Sequence, residues 1–448
     1  MARHYDVIIL GAGNAGFGAS AVLAEAGRRV AMVENRDFGG TCPNRGCTPK
    51  KFLVAAAHSL HEIERAHVHC IEVAQPKLDW AALIERTQGM IASIPGNMRE
   101  LAGKRGDVYE GKARFVSEDK IDVDGEVLSA DHFIIATGST PRSLPIAGSE
   151  LMITSDDVLS EREQPAEVVF VGGGVIAMEF SHVYARAGTR VTILEAMPRL
   201  LPALDADAVE ALAAESRRIG IEIVTEAKVN AIERDGERLR VRYELDGERR
   251  SVSASRVING AGRVANVAGL DLEKAGIRHE GGRIAVDGHL RSVSQPRAWV
   301  AGDALTGVPQ LSPLATEEGR FVGRNIVDGT GEAFDYAVVP SVVYTVPALA
   351  SVGLDEAAAK EQGRKVDGHV NDMSEWFSAL TYAETVAWSR VLVDRESDAI
   401  VGAQLVGHNA EELIHLFSFA MQHGITATRL KQSRYAFPTF SADLPSML

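Results

Sequence analysis

The apolar positions of the chain fall into two copies of one pattern. In the first, Asp6-Val-Ile-Ile-Leu leads into Gly11-Ala-Gly13-Asn-Ala-Gly16, an Ala-rich stretch closes at Ala26-Gly27, and Val30-Ala-Met-Val ends in Glu34. In the second, Glu167-Val-Val-Phe-Val leads into Gly172-Gly-Gly174-Val-Ile-Ala177, then Ala187-Gly188, then Val191-Thr-Ile-Leu-Glu195. The acid follows the first glycine by 23 residues in both. Short unbroken apolar runs read as buried strands, and the stretch between them as a helix with a glycine stop. Each copy therefore predicts a βαβ unit, and one spacing found twice argues against two unrelated glycine turns.

Such a unit has a definite use. The first glycine (Gly11, Gly172) makes the tight turn, and the second (Gly13, Gly174) lets backbone N–H groups reach a pyrophosphate. The third position (Gly16, Ala177) sets how closely helix and strand pack, and the terminal acid (Glu34, Glu195) accepts from a ribose 2′-OH. Two units predict two bound dinucleotides per chain.

The remaining pattern fits around them. Residues 48–66 and 78–103 read as helical, and 107–135 as short strands ending at Phe133-Ile-Ile-Ala-Thr137-Gly138. Similar strand endings recur at Val257-Ile-Asn-Gly-Ala-Gly262-Arg263 and at Trp299-Val-Ala-Gly302-Asp303. From about residue 335 strands at 338–345, 390–395 and 399–406 alternate with helices at 355–362 and 409–423, without a nucleotide motif. That tail reads as an α+β domain. The expected fold class is α/β: two Rossmann-like dinucleotide-binding domains plus a C-terminal α+β dimerisation domain. The expected boundaries are 1–145 and 264–334 for the first domain, 146–263 for the second and 335–448 for the third.

Composition narrows the function. Apolar residues make up 46% and charged residues 24% of the 448, an ordinary globular balance with room for about three domains. The net charge of −14 opposes a nucleic-acid backbone, so no nucleic-acid partner is expected. No apolar run approaches the ~20 residues of a membrane span, and MARHYDVIIL enters a strand pattern without signal-peptide features. A cytoplasmic protein is expected, and there a close cysteine pair is more often catalytic than structural.

Cys42 and Cys47 are that pair, in Gly39-Gly40-Thr41-Cys42-Pro43-Asn44-Arg45-Gly46-Cys47-Thr48-Pro49-Lys50. Positions i and i+5 of a regular helix lie beyond the ~7 Å reach of a disulfide, so bridging them requires a distorted turn, which Gly46 and Pro43 permit. A helix start and Lys50 favour thiolate. No metal site is expected: His58, His61, His67, His69 and Cys70 lack a second cysteine pair and read as surface or polar-core residues.

With these residues in hand, the whole chain resembles the glutathione reductase, dihydrolipoamide dehydrogenase and mercuric reductase family of flavoprotein disulfide reductases. The resemblance rests on both glycine motifs, Gly-Gly-Thr-Cys-x4-Cys-x-Pro-Lys, Ala136-Thr-Gly-Ser139, Glu179, Gly262-Arg263, Ala301-Gly-Asp303 and Leu311-Ser-Pro-Leu-Ala315. It implies FAD in the first unit and NAD(P)H in the second, in a homodimer. It implies further that Glu34, Thr41, Ala113, Thr137, Gly138, Asp303 and Ala315 serve FAD, while Glu195 and Arg263 belong to the nucleotide motifs. Cys47 would be the thiolate in charge transfer with the flavin, Cys42 would attack the substrate, and Lys50 and Glu179 would pair beside the flavin. A carboxylate at Glu195 repels a 2′-phosphate, so NADH is expected over NADPH, although Ala177 often accompanies NADPH and Arg190 and Arg199 stand near in sequence.

One segment departs from that family. Where a C-terminal His-Pro-Thr-x-Ser-Glu supplies an acid–base pair, this chain reads Phe437-Pro438-Thr439-Phe440-Ser441-Ala442-Asp443. A histidine matters when the leaving thiolate must be protonated, so its loss points to a small disulfide that releases a low-pKa thiolate or a stable thione, ergothioneine for example. Tyr435 is the nearest replacement acid, and Phe437 and Phe440 offer an aromatic face, or simply pack a subunit interface. The rival readings are a dihydrolipoamide dehydrogenase, a reductase of quinone, metal ion or hypohalous species, and a non-catalytic redox sensor.

Overall fold

The computed structural model describes residues 3–329 and 331–448; Met1, Ala2 and Thr330, which fall inside the expected domain ranges, lie outside the described residues. The chain forms two compact units: Met1–Lys50 with Glu85–Arg142 and Arg263–Tyr336, and Lys51–Ile84 with Ser143–Gly262 and Ala337–Leu448.

The first unit is built on a seven-stranded sheet. Arg3–Leu10 is flanked in parallel by Val30–Glu34 and Glu126–Ile135, and Asp107–Glu110 extends the parallel edge beyond Val30–Glu34. Tyr5, Val7, Ile8, Ile9 and Leu10 are all buried, as an apolar run in a covered parallel strand requires. The helices Asn14–Glu25 and Ser312–Asp328 pack at backbone distance: a Cβ on Gly319 would stand 2.0 Å from the Ala15 carbonyl oxygen, and one on Gly18 2.3 Å from that of Thr316. Glycines in these helix interiors are thus explained by the approach they allow.

The second unit holds a four-stranded parallel sheet in the order Glu222–Val224, Arg190–Leu194, Glu167–Val171, Arg256–Asn259, with the helix Val175–Arg186 behind it. The segment Lys228–Ala254 adds a three-stranded antiparallel meander. Its tail is a five-stranded antiparallel sheet in the order Ser341–Val343, Ala348–Gly353, Ile400–Gly407, Trp388–Asp394, Val366–Asp372. The helix Ala410–Gln422 covers it with Leu413, Ile414 and Phe417.

The sequence pattern placed the paired βαβ units correctly and ran past two kinds of element. The expected helix 78–103 is two, Trp80–Ile91 and Ile94–Gly103, parted before Pro95, whose ring cannot sit in a helix interior. The expected strand 338–345 shortens to Ser341–Val343. The strands Ala348–Gly353 and Val366–Asp372 escaped notice, the second because only its edge position gives it a polar, exposed sequence. Among the described residues no helix is long and apolar enough to cross a membrane.

Candidate active site

In the first unit the turn after Arg3–Leu10 opens on a cleft of about 400 Å³. Gly11 holds φ +108°, and a Cβ there would stand 2.3 Å from the Ala136 carbonyl oxygen, so the turn admits no side chain. Gly16 is equally closed, with the Gly11 oxygen 2.1 Å from its would-be Cβ, whereas Gly13 borders the open cleft. Glu34 ends the second strand and its carboxylate ties the loop together, accepting the N–H of Ala12 at 2.8 Å, of Asn35 at 3.0 Å and of Arg36 at 2.9 Å.

Thr41, Ala113, Thr137, Gly138, Asp303 and Ala315 line the same cleft, together with both cysteines. Thr137 Oγ1 is buried there with no hydrogen-bond partner, the mark of a polar wall shaped for a polar guest. Burial raises the Asp303 carboxyl above its ordinary pKa, partly offset by the Ser139 hydroxyl, which donates to it at 3.0 Å, and by the Arg263 charge. Arg263 in turn donates to Ser139 Oγ at 2.9 Å and to its carbonyl at 2.6 Å. Arg263, assigned from its motif to the second nucleotide unit, thus lies within the first and braces Asp303 through Ser139.

The cysteine segment answers the geometric demand of its spacing. A five-residue helix, Thr41–Arg45, stops at Gly46 (φ −139°, ψ −117°), and Cys47 starts a new helix to Arg65. Gly40 sits at φ +70° with its would-be Cβ 2.7 Å from the Gly13 Cα, which presses the cysteine turn against the dinucleotide loop. Cys42 and Cys47 are free thiols, and Cys47 Sγ lies 3.9 Å from Ser312 Oγ. A hydrogen bond from Cys47 lowers the Cys42 pKa to about 6, against the cost of burial, with Ser312 and Asn14 assisting. Cys47 moves the other way, raised by its bond to Cys42 and by burial. The two thiols thus act on each other through one shared hydrogen bond, with Lys50 favouring the thiolate at Cys47.

Lys50 and Glu179 are both buried, the first in the first unit and the second in the other. Glu179 accepts the Tyr344 N–H at 2.9 Å. Around the second glycine turn, Gly172 at φ +99° faces Ala261 and Gly260, and a Cβ on Gly260 would meet the Ala177 methyl at 2.9 Å. The space that a third glycine would leave is thus provided by Gly260, and Ala177 fits without residual exposure. The Glu195 carboxylate accepts the N–H groups of Gly173 at 2.5 Å and Met197 at 2.7 Å. Arg190 pairs with Glu167, and Arg199 donates to the carbonyls of Pro202 at 2.6 Å and Leu204 at 2.8 Å.

The aromatic residues of the tail do not form one face. Phe437 is 80% exposed and its ring centroid lies 6.1 Å from that of Phe377. Phe440 turns inward, stacking on His408 at 4.8 Å and packing on Tyr382 at 5.3 Å. Tyr435 already donates its hydroxyl to the Leu430 carbonyl at 2.8 Å, and burial raises its pKa.

Family models for the pyridine nucleotide-disulphide oxidoreductases match residues 5–319, and their dimerisation domain matches 339–447. The chain belongs to this family. It is 33% identical over 449 residues to a dihydrolipoyl dehydrogenase of Thermus scotoductus, covering 99% of this chain and 96% of that one. A mercuric reductase of Bacillus cereus is 29% identical, over 98% of this chain and 70% of the relative. Among solved structures, the HOCl-induced flavoprotein disulfide reductase RclA from Escherichia coli superposes with a TM-score of 0.87 at 28% identity, over 99% of both chains. As a pyridine nucleotide-disulphide oxidoreductase the chain is an enzyme that uses FAD and a nicotinamide nucleotide, and it carries the family's dimerisation domain.

Two residues that line this oxidoreductase's cleft, and one that supports it through Gly302, had no role from sequence. Ser139 and Ser312 were visible within recognised motifs, yet nothing in a motif says that one holds Asp303 and the other approaches Cys47. Glu318 gave no signal at all: it is a buried acid on Ser312–Asp328 that accepts the Gly302 N–H at 2.6 Å and the Tyr336 hydroxyl at 2.8 Å.

Proposed function

We propose that this oxidoreductase is an NADH-preferring, FAD-dependent reductase of a small disulfide, acting as a homodimer in the cytoplasm. The observation that carries the reading is the placement of Cys42 and Cys47 together in the lining of the dinucleotide cleft, with the Cys42 pKa lowered to about 6 by the hydrogen bond from Cys47. Residues 1–145 and 264–334 hold FAD in this reading, 146–263 hold the nicotinamide nucleotide, and 335–448 form the subunit interface. Glu34 and Thr137 address the ribose and polar edge of FAD, and Asp303, braced by Ser139 and Arg263, its ribityl–pyrophosphate stretch. Bound there, FAD would supply the two-electron link between the nicotinamide nucleotide and the cysteine pair.

The chain's own residues do the rest. The Cys42 thiolate attacks one sulfur of the substrate, forming a mixed disulfide and expelling the first half as a thiolate. Cys47 gives up its proton and attacks Cys42 Sγ, which releases the second half and closes the 42–47 disulfide. Lys50, buried beside the cysteine helix start, would offset the negative charge that FAD gains on reduction, and Glu179 is the buried acid assigned to the nicotinamide side. Phe437 and Ala442, where relatives of the resembled kind carry an acid–base pair, leave the first departing thiolate unprotonated, which favours a released sulfur of low pKa or a thione. The decisive experiment is NADH oxidation by the FAD-loaded protein against a panel of disulfides. Turnover of aromatic or heterocyclic disulfides that vanishes in Cys42→Ser is expected; turnover that survives that substitution defeats the reading.

The likeness to RclA, whose name carries HOCl induction, and to mercuric reductases favours one second reading, in which the thiols relay electrons to a metal ion or hypohalous species. The same assay with those acceptors separates the two.

A further inference from the structure

A second cavity, of about 280 Å³, lies within the second unit and is lined by His58, His61, His408 and Glu384 among others. His58 and Glu62 are four residues apart on the helix Cys47–Arg65 and share one face, with His58 Nδ1 3.8 Å from Glu62 Oε1. His408 comes from the turn that follows the strand Ile400–Gly407. One donor atom from each of His58, Glu62 and His408 falls within 4.8 Å of the others. We propose that this cluster is a site for a divalent transition ion of the Zn2+ or Cu2+ class, apart from the redox cysteines.

The donor set selects the ion. Two imidazoles and one carboxylate suit borderline cations and leave Mg2+ or Ca2+ poorly served. An ion held at ~2.0–2.1 Å wants its ligand atoms ~3.4 Å apart, up to about 1.4 Å closer than the 4.8 Å that bounds their spacing here. His58 and Glu62 are exposed side chains on one helix and close that gap by rotamer changes. Three protein ligands leave a fourth position for water, so the ion exchanges with solvent.

The surroundings of His408 are those of a metal ligand. Its Nδ1 lies 2.8 Å from Glu384 Oε1, and Glu384, 1% exposed at its side chain, is itself fixed by Arg65 at 2.6 Å. A buried carboxylate on one ring nitrogen sets the tautomer and makes the other nitrogen a better donor. The ring also packs against Phe440 at 4.8 Å and Tyr382 at 5.3 Å, which touch each other as well, and these contacts restrict its direction. His61, 1% exposed, lines the cavity with both ring nitrogens free of hydrogen bonds, their carboxylate neighbours Glu64 and Glu384 at 3.8 Å. An ordinary polar core would have satisfied it. Residues 58–70 lack the second cysteine pair that would suggest a metal from sequence, and His408, the ligand that completes the set, lies far along the chain.

The test uses FAD-loaded protein with Cys42, Cys47 and Cys70 all replaced by serine, which removes every thiol in the chain. Cu2+ alone is the probe, followed by competition with a chromophoric chelator and by electron paramagnetic resonance, in which oxidised flavin is silent. One Cu2+ per chain with nitrogen hyperfine coupling is expected. His58→Ala and His408→Ala should each weaken binding at least ~100-fold, and Glu384→Gln about 10–100-fold. His69→Ala should change nothing. His58 is exposed, so its variant keeps the fold, checked by FAD content. Binding of undiminished tightness in His58→Ala, or a spectrum without nitrogen coupling, overturns the proposal.

Discussion

The Glu195 carboxylate accepts the backbone N–H of Gly173 at 2.5 Å, as Glu34 accepts that of Ala12 at 2.8 Å in the other unit. Both acids are held at the mouth of a glycine turn by backbone N–H groups of that turn. At Glu195 a second bond, from Met197, fixes the remaining oxygen. Neither Arg190 nor Arg199 is turned toward a 2′-phosphate, since one pairs with Glu167 and the other with backbone carbonyls. The reductive half-reaction should therefore be faster at low concentration with NADH than with NADPH. Glu195→Ala should narrow the ratio of second-order rate constants about tenfold or more, the scale of one carboxylate–phosphate repulsion removed (~1.4 kcal/mol). A wild type that prefers NADPH in stopped-flow reduction would contradict the charge argument.

Much of this site was legible because its residues are local. Gly11, Gly13, Gly16 and Glu34 stand on one βαβ unit, and the cysteines follow within a few positions, so spacing alone groups them. Asp303 and Ala315 were reached only through resemblance, since the sheet and the helix pair bring them to the cleft from far along the chain. Glu318, Ser139 as a brace and His408 were not legible at all. Their importance comes from what tertiary packing sets beside them, and an isolated buried acid or loop histidine has no periodicity to betray it. Phe440 shows the converse: proximity to Phe437 in sequence suggested a shared face, and packing against His408 and Tyr382 turned it inward.

The proton shared by the cysteines gives a pH signature. With Cys42 lowered to about 6 mainly by the bond from Cys47, the two-electron-reduced protein should alkylate first at Cys42. Its iodoacetamide rate should rise through pH 6 and level off by about pH 7–8. Removing the donor in Cys47→Ser should move that midpoint upward toward an ordinary thiol, which mass spectrometry across pH will detect. In the FAD-loaded protein, two-electron reduction should also produce a long-wavelength charge-transfer band that Cys47→Ser abolishes and Cys42→Ser retains. A band that survives loss of Cys47 would reassign the flavin-side sulfur.

Glu318 predicts a stability trend. Burial raises its pKa to about 7 from an ordinary 4.5, against the pull of Tyr336 and the Gly302 N–H. A carboxyl whose folded pKa is raised favours the folded state while protonated. That contribution is complete below about pH 4.5 and is lost as pH rises through about 7, so it falls across that window and is flat above it. The shift corresponds to at most about 3 kcal/mol for this buried side chain. Glu318→Gln keeps an acceptor for Gly302 without the charge. Its melting temperature, measured against wild type at pH 5 and pH 8, should gain on wild type at the higher pH. A constant difference would show that Glu318 does not titrate in this range.

The replaced histidine gives the most discriminating experiment. General acid catalysis is typically worth about 10²–10⁴-fold, and Phe437 and Ala442 supply none. The one nearby candidate, Tyr435, has its hydroxyl committed to the Leu430 carbonyl and its pKa raised by burial, both of which weaken it as a proton donor to substrate. Oxidation of the reduced enzyme should therefore accelerate steeply across a series of disulfides as the leaving thiol's pKa falls, because nothing but its own stability eases its departure. Oxidised glutathione, whose thiol leaves with a pKa near that of an ordinary cysteine (about 8–9), should be a slow substrate. Phe437→His alone should accelerate poor leaving groups modestly, since Ala442 offers no carboxylate to orient the new ring. Adding Ala442→Glu should extend that gain, while substrates that release a thione stay unchanged in both variants. A flat dependence on leaving-group pKa in wild type, together with collapse of glutathione disulfide turnover in Tyr435→Phe, would instead identify Tyr435 as a working acid and reject a substrate chosen for its leaving group.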